Sequence, residues 1–131
     1  MQNNVGIVRI GDELQNGLEK LAEIKVKIDK VSAYASAQYN PGWNEALDLQ
    51  NLIITSEAVT RSAILREESR GAHTRLDFEG EREEGLEYNI VIKKTDQGML
   101  AEKIKRESPP QELADIAHAS LSKLEGEDLG S

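Results

Sequence analysis

The side chains best suited to chemistry are concentrated in one run, Arg66-Glu67-Glu68-Ser69-Arg70-Gly71-Ala72-His73-Thr74-Arg75-Leu76-Asp77. Its three arginines and three carboxylates cancel, so the run is suited to paired ionic contacts rather than to attracting a bare phosphate. Arginine forks beside Gly71, a residue free to take a left-handed backbone, would fix a chain reversal or dock onto a partner. The plainer alternative is a solvated helix end followed by a polar loop. A third reading, Ser69, His73 and Asp77 acting together as a nucleophilic set, lacks an identifiable oxyanion donor. The candidate set, read as structural or interfacial and not catalytic, is Arg66, Glu68, Ser69, Arg70, Gly71, His73, Arg75 and Asp77.

Other chemistries find no support. No glycine-rich G-x-G-x-x-G turn and no G-x-x-x-x-G-K-[ST] loop occurs, so no dinucleotide or nucleotide site is expected. The two histidines, His73 and His118, are too far apart for a zinc pair at helical spacing, and there is no cysteine, which removes thiolate chemistry and disulfides. No catalytic, cofactor or metal residue is assigned. With 16 Lys and Arg against 24 Asp and Glu, a net charge of −8, nucleic acid and anionic membrane surfaces are poor partners. The central uncharged stretch, Leu49 to Ser56, is far too short to span a bilayer, and the N-terminus lacks a basic segment leading into an apolar run. A soluble, cytoplasmic protein is expected.

A chain of 131 residues is long enough for one modest core, and a single domain is expected over its whole length. Apolar residues at Ile10, Leu14, Leu18, Leu21, Ile24, Ile28, Val31 and Ala35 keep steps of three and four, predicting a first helix opened by a capping box between Asp12 and Gln15. Asn40-Pro41 predicts the start of a second helix, running to about Arg66, with Trp43 as a buried anchor and Gly71 as the residue that ends it. That helix is apolar on more than one side, so it needs more than one neighbour. A charged loop is expected over 71–85, and alternation from Leu86 predicts a hairpin over about 86–105, turning at Asp96-Gln97-Gly98. Ser108-Pro109-Pro110-Gln111 then reads as the N-cap of a last helix over about 109–124, followed by a disordered acidic tail, 125–131. The fold class expected is mainly α: an antiparallel three-helix, spectrin-repeat-like bundle over about 10–70 and the last helix, with one small β-hairpin.

The run R-E-E-S-R-G-A-H-T-R-L-D, preceded by Y-N-P-G-W-N-E-A-L-D-L-Q-N-L and by V-G-I-V-R-I-G-D-E-L, resembles the C-terminal helical domain of the succinate dehydrogenase/fumarate reductase flavoprotein subunit over about Val5 to Ile92. L-aspartate oxidase carries a similar E-S-R-G-x-H segment and stays as an alternative. A free-standing helical adaptor that binds a protein through its charged loop is another. The resemblance implies a parent enzyme that interconverts succinate and fumarate with FAD and exchanges electrons with an iron–sulfur subunit. In that family the flavin and the dicarboxylate belong to upstream flavin-binding and capping domains. This segment would then be a scaffolding and docking module, inactive alone and with no cofactor of its own. Its partners would be those two domains and the iron–sulfur subunit, with the complex held at the cytoplasmic face of the membrane by other subunits.

Overall fold

The computed structural model describes residues 1–120, in the order β1 (Val8–Arg9), α1 (Gly11–Ile28), α2 (Pro41–Leu65), β2 (Thr74–Arg75), a 3-10 turn (Glu83–Leu86), β3 (Tyr88–Thr95), β4 (Gly98–Lys105) and α3 (Gln111–Ala117). The expected end of the last helix and the acidic tail lie outside the described residues.

Leu14, Leu21 and Ile28 recur every seventh residue on α1 and are buried against α2 in two clusters. One joins Val5, Leu14 and Ala63, with Ile64 against it; the other joins Leu21, Ile28 and Ile53, with Leu18 and Leu49. Numbers rise on α1 as they fall on α2, so the two helices run antiparallel. Between the clusters the N-terminal segment packs closely on α1 at Gly17, where a Cβ would lie 3.0 Å from Val5 Cγ2 and 3.9 Å from Thr60 Cγ2 of α2. Thr60, fully buried there, satisfies its hydroxyl by donating to the Ser56 carbonyl at 2.7 Å.

The third-helix position of a bundle is not filled by a helix. The other apolar side of α2 is covered by the antiparallel β3–β4 hairpin, paired from Tyr88↔Lys105 to Thr95↔Gly98. Helix α3 has seven residues and no buried side chain, and its apolar Leu113 and Ile116 are exposed. A second, parallel sheet joins β1 to β2 through Val8↔Thr74 and Arg9↔Arg75. The expected three-helix, spectrin-repeat-like bundle is therefore replaced by a helix pair with a hairpin on one flank and a two-residue ladder clasping one end. Two-residue strands are too short to leave an alternating pattern in the sequence.

Several helix ends also differ from expectation. Helix α1 begins at Gly11 with Ile10 in the cap position and no side-chain cap. The Asp12–Gln15 box does not form because the helix starts earlier: the Ile10 carbonyl already accepts from the Leu14 N–H at 3.0 Å, which puts Asp12 inside the first turn, while the Gly11 N–H is met by Asp77 Oδ2 at 2.9 Å. Helix α1 stops at Ile28, and the chain crosses to α2 over 29–40 with Ala35 and Tyr39 at positive φ. Pro41 opens α2, but Asn40 does not cap it, since its Nδ2 donates to the carbonyls of Tyr34 (2.7 Å) and Ser36 (3.0 Å). Trp43 is 43% exposed rather than a buried anchor: α1 ends opposite Leu49 and Ile53, so the first turns of α2 extend past their neighbour. Before α3 the cap position belongs to Pro110, without a side-chain cap, and not to Ser108.

Candidate functional site

Helix α2 ends at Leu65, several residues before Gly71, because its last carbonyls are claimed by a side chain from downstream. Arg75 is 3% exposed, and its Nη1 donates to the carbonyls of Ala63 (2.8 Å), Ile64 (3.3 Å) and Arg66 (3.3 Å). A helix C-terminus carries partial negative charge and orphan carbonyls, so a guanidinium suits it. The same guanidinium grips Asp77 with both edges, Nε to Oδ1 at 2.8 Å and Nη2 to Oδ2 at 2.7 Å. Asp77 in turn accepts from Gly11 N at the start of α1. One Arg–Asp pair thus places a cation on the end of one helix and an anion on the beginning of the other. The Arg75 hydrogen bonds hold the Asp77 carboxyl well below the usual carboxylate range, outweighing its partial burial, with help from the Gly11 N–H.

Glu68 is the second centre, 1% exposed. Its Oε1 accepts from Arg66 Nη1, and its Oε2 accepts from Arg70 Nε (3.2 Å), Arg70 Nη2 (3.1 Å) and the Arg82 backbone N–H (2.9 Å). Burial alone would raise its pKa; the Arg82 N–H, Arg70 and Arg66 overcome that and hold it at about 2. Arg70 extends the network to Glu81 (2.9 Å) and the Arg82 carbonyl (3.0 Å). The carboxylate lies flat against Gly85, where any Cβ would come within 2.0 Å of Oε1, so only glycine fits. Ser69 ties the corner internally, accepting from the Arg75 N–H at 2.8 Å and lying within donating range of the Arg75 and Phe78 carbonyls. Its hydroxyl faces backbone, not His73. Gly71, at φ +57°, makes the turn across which Arg70 and His73 exchange backbone hydrogen bonds.

His73 sits apart from Glu68 and faces Arg9. Arg9 Nη1 donates to His73 Nδ1 at 2.5 Å, which assigns the ring proton to Nε2, and Nε2 donates to the Arg66 carbonyl at 3.0 Å. Burial lowers the pKa of this imidazole, the Arg66 carbonyl opposes that, and the charges of Arg9, Arg75 and Arg66 lower it further. The corner therefore gathers all eight predicted residues, in two linked groups around Glu68 and Asp77 with His73 beside them. Arg9, Gly11, Glu81, Arg82 and Gly85 complete it. Sequence spacing gives no warning of these, since Arg9 and Gly11 are brought in by the ladder from more than 60 positions away.

The arrangement is a brace for two helix ends, with nearly every charged group already engaged. The Gly11 N–H at the start of α1 is taken by Asp77. Among the described residues no group of three or more His, Asp or Glu side chains is placed to hold a metal, and no helix is long and apolar enough to cross a membrane.

A family model described as fumarate reductase flavoprotein C-term matches residues 1–114. One subunit of the fumarate reductase (CoM/CoB) of Methanothermobacter marburgensis is 38% identical over 84 residues, 64% of this chain and 15% of that protein. A mitochondrial succinate dehydrogenase (ubiquinone) flavoprotein of Xenopus laevis is 37% identical over 79 residues, 60% of this chain and 12% of that protein. Among solved structures, Mycobacterium smegmatis Sdh1 in complex with UQ1 superimposes with a TM-score of 0.81 at 28% identity, covering 95% of this chain and 21% of that one. The chain thus spans a small fraction of the length of the relatives it matches.

Proposed function

Because the chain belongs to the family of C-terminal domains of succinate dehydrogenase/fumarate reductase flavoprotein subunits, we propose that it works as the scaffolding and docking module of such a subunit. The parent would interconvert succinate and fumarate on FAD bound upstream, and pass electrons to or from an iron–sulfur subunit. The module holds a rigid helix pair against the flavin-binding and capping domains and contributes no group to the chemistry. The observation that carries this reading is the Arg75–Asp77 bridge, which devotes two charges to fixing the relative position of α1 and α2. Arg66, Glu68 and Arg70 lock the next turn of chain in the same manner. Catalytic groups need a free lone pair or proton aimed at a substrate, and this corner turns its own inward.

In the full-length flavoprotein, Arg75→Ala is expected to reduce the yield of assembled complex, read as FAD content and co-purifying iron–sulfur subunit. The fraction that does assemble is expected to keep its KM for succinate. Normal assembly with a changed KM would show that the corner contacts substrate and overturn the reading. The 131-residue chain alone is expected to bind no flavin in an absorbance titration.

A further inference from the structure

Beside the corner lies an open cleft of about 430 Å³ whose charge is one-sided. Arg9, Arg66 and His73 form one wall, and Ala58, Val59 and Ile90 form an apolar floor. Among the described residues, no acidic side chain lines it. Arg66 is neutralised by Glu68, but Arg9 pairs with no carboxylate among the described residues. Its Nε donates to the Gly6 carbonyl and its Nη1 to His73, which leaves Nη2 without a partner among those residues. A half-buried guanidinium next to a neutral imidazole and a second guanidinium lacks its counter-charge.

Resting on the docking role above, we propose that this cleft receives an Asp or Glu side chain from the flavin-binding part of the same long polypeptide, gripped by Arg9 with its methylenes on Val59 and Ile90. Three features select this occupant. The matching relatives extend far beyond the segment shared with this chain, so most of such a polypeptide is available to cover the cleft. The free Nη2 of Arg9, on a guanidinium with no carboxylate partner among the described residues, suits a carboxylate. The apolar floor suits the short stem of an acidic side chain better than a fully hydrated free anion.

The test places a photo-crosslinking benzophenone amino acid at Val59 in the full-length protein and maps the adduct by mass spectrometry. A cross-link to a segment of the same polypeptide outside residues 1–131, within three residues of an Asp or Glu, is expected. Arg9→Gln, or neutralising that acid to its amide, should lower the yield by about tenfold, as for loss of a charge-assisted contact. Arg9→Lys, which keeps the charge without the fork, should give an intermediate yield, and circular dichroism melts verify that each variant is folded. A same-chain adduct insensitive to Arg9→Gln, or one far from any acid, would overturn the carboxylate proposal and leave the docking role standing. An adduct to a separate polypeptide would overturn the same-chain occupant only. No adduct at all would mean that the cleft faces solvent and would end this proposal, while the docking role is decided separately by the assembly yield of Arg75→Ala.

Discussion

The two ends of the helix pair are held by different means. At one end, residues 66–85 bury Glu68 and Arg75 in a lattice of charge-assisted hydrogen bonds that satisfies the C-terminus of α2 and the N-terminus of α1 together. At the other, the 29–40 crossing and the start of α2 leave Tyr34, Tyr39 and Trp43 exposed, and the clearest tie is the Asn40 amide on two carbonyls. Six buried hydrophobic residues among those described make too thin a core to order both ends by apolar packing. Where the position of the helices must be fixed, buried ion pairs do it; where it need not be, the aromatic residues stay outside.

The largest effect that would test this contrast is Arg75→Ala. It strands the Asp77 carboxylate and takes the guanidinium from the Ala63 and Ile64 carbonyls of α2, so it should cost the 131-residue chain about 3–5 kcal/mol in urea unfolding, the range for breaking a buried pair. An effect no larger than that of an exposed pair would show that the corner is decoration. Gly85→Ala comes next: its Cβ would displace the Glu68 carboxylate, with an expected loss of about 1–3 kcal/mol for overpacking. Arg70→Ala, which removes contacts to Glu68, Glu81 and the Arg82 carbonyl, should also lower the melting temperature of the isolated chain.

Acid should open the charged end first. Glu68, near 2, and Asp77, also depressed, have folded pKa values below their unfolded ones. Their contribution is therefore complete above an unfolded pKa of about 4 and is lost as pH falls toward 2. His73 is depressed as well, so below about 6.5 the unfolded chain takes up its proton first and stability declines before the carboxylates titrate. A urea series against pH should show a shallow decline below about 6.5 and a steeper one below about 4; Glu68→Gln should soften the steeper step. The smallest effect belongs to the open end. Trp43→Ala should change stability by about 0.5 kcal/mol or less, and acrylamide should quench Trp43 readily in the isolated chain.

The two long helices and the hairpin were legible because each carries a sustained period, of 3.6 or of 2, over many residues. What failed was local or distant. Capping boxes at Asp12 and Ser108 are genuine local preferences, but Ile10 and Pro110 take the cap positions, and the free N–H at the start of α1 is met from a distance by Asp77. The size of Trp43 suggested burial, yet its position beyond the end of α1 leaves it only partly covered. The segment 66–77 was legible as a unit because its charges cancel within twelve residues, and all eight residues singled out there do meet. Arg9 was invisible as their neighbour, since no local pattern announces a two-residue parallel ladder.

That ladder also bears on the order in which the chain can fold. Contacts within β3–β4 join residues close in sequence and the α1–α2 clusters begin with Ile28 and Ile53, 25 positions apart, whereas Val8↔Thr74 and the Gly11–Asp77 bond close a loop of 66 residues. Closing so long a loop is the entropically costlier step, and it becomes easier once the helices have paired, because their pairing shortens the gap to be closed. During synthesis from the N-terminus, residues 8–11 must wait until Asp77 has emerged before the start of α1 acquires its counter-charge. Until then a nascent chain can pair both helices through their apolar clusters and still lack the ionic bridge that joins their ends.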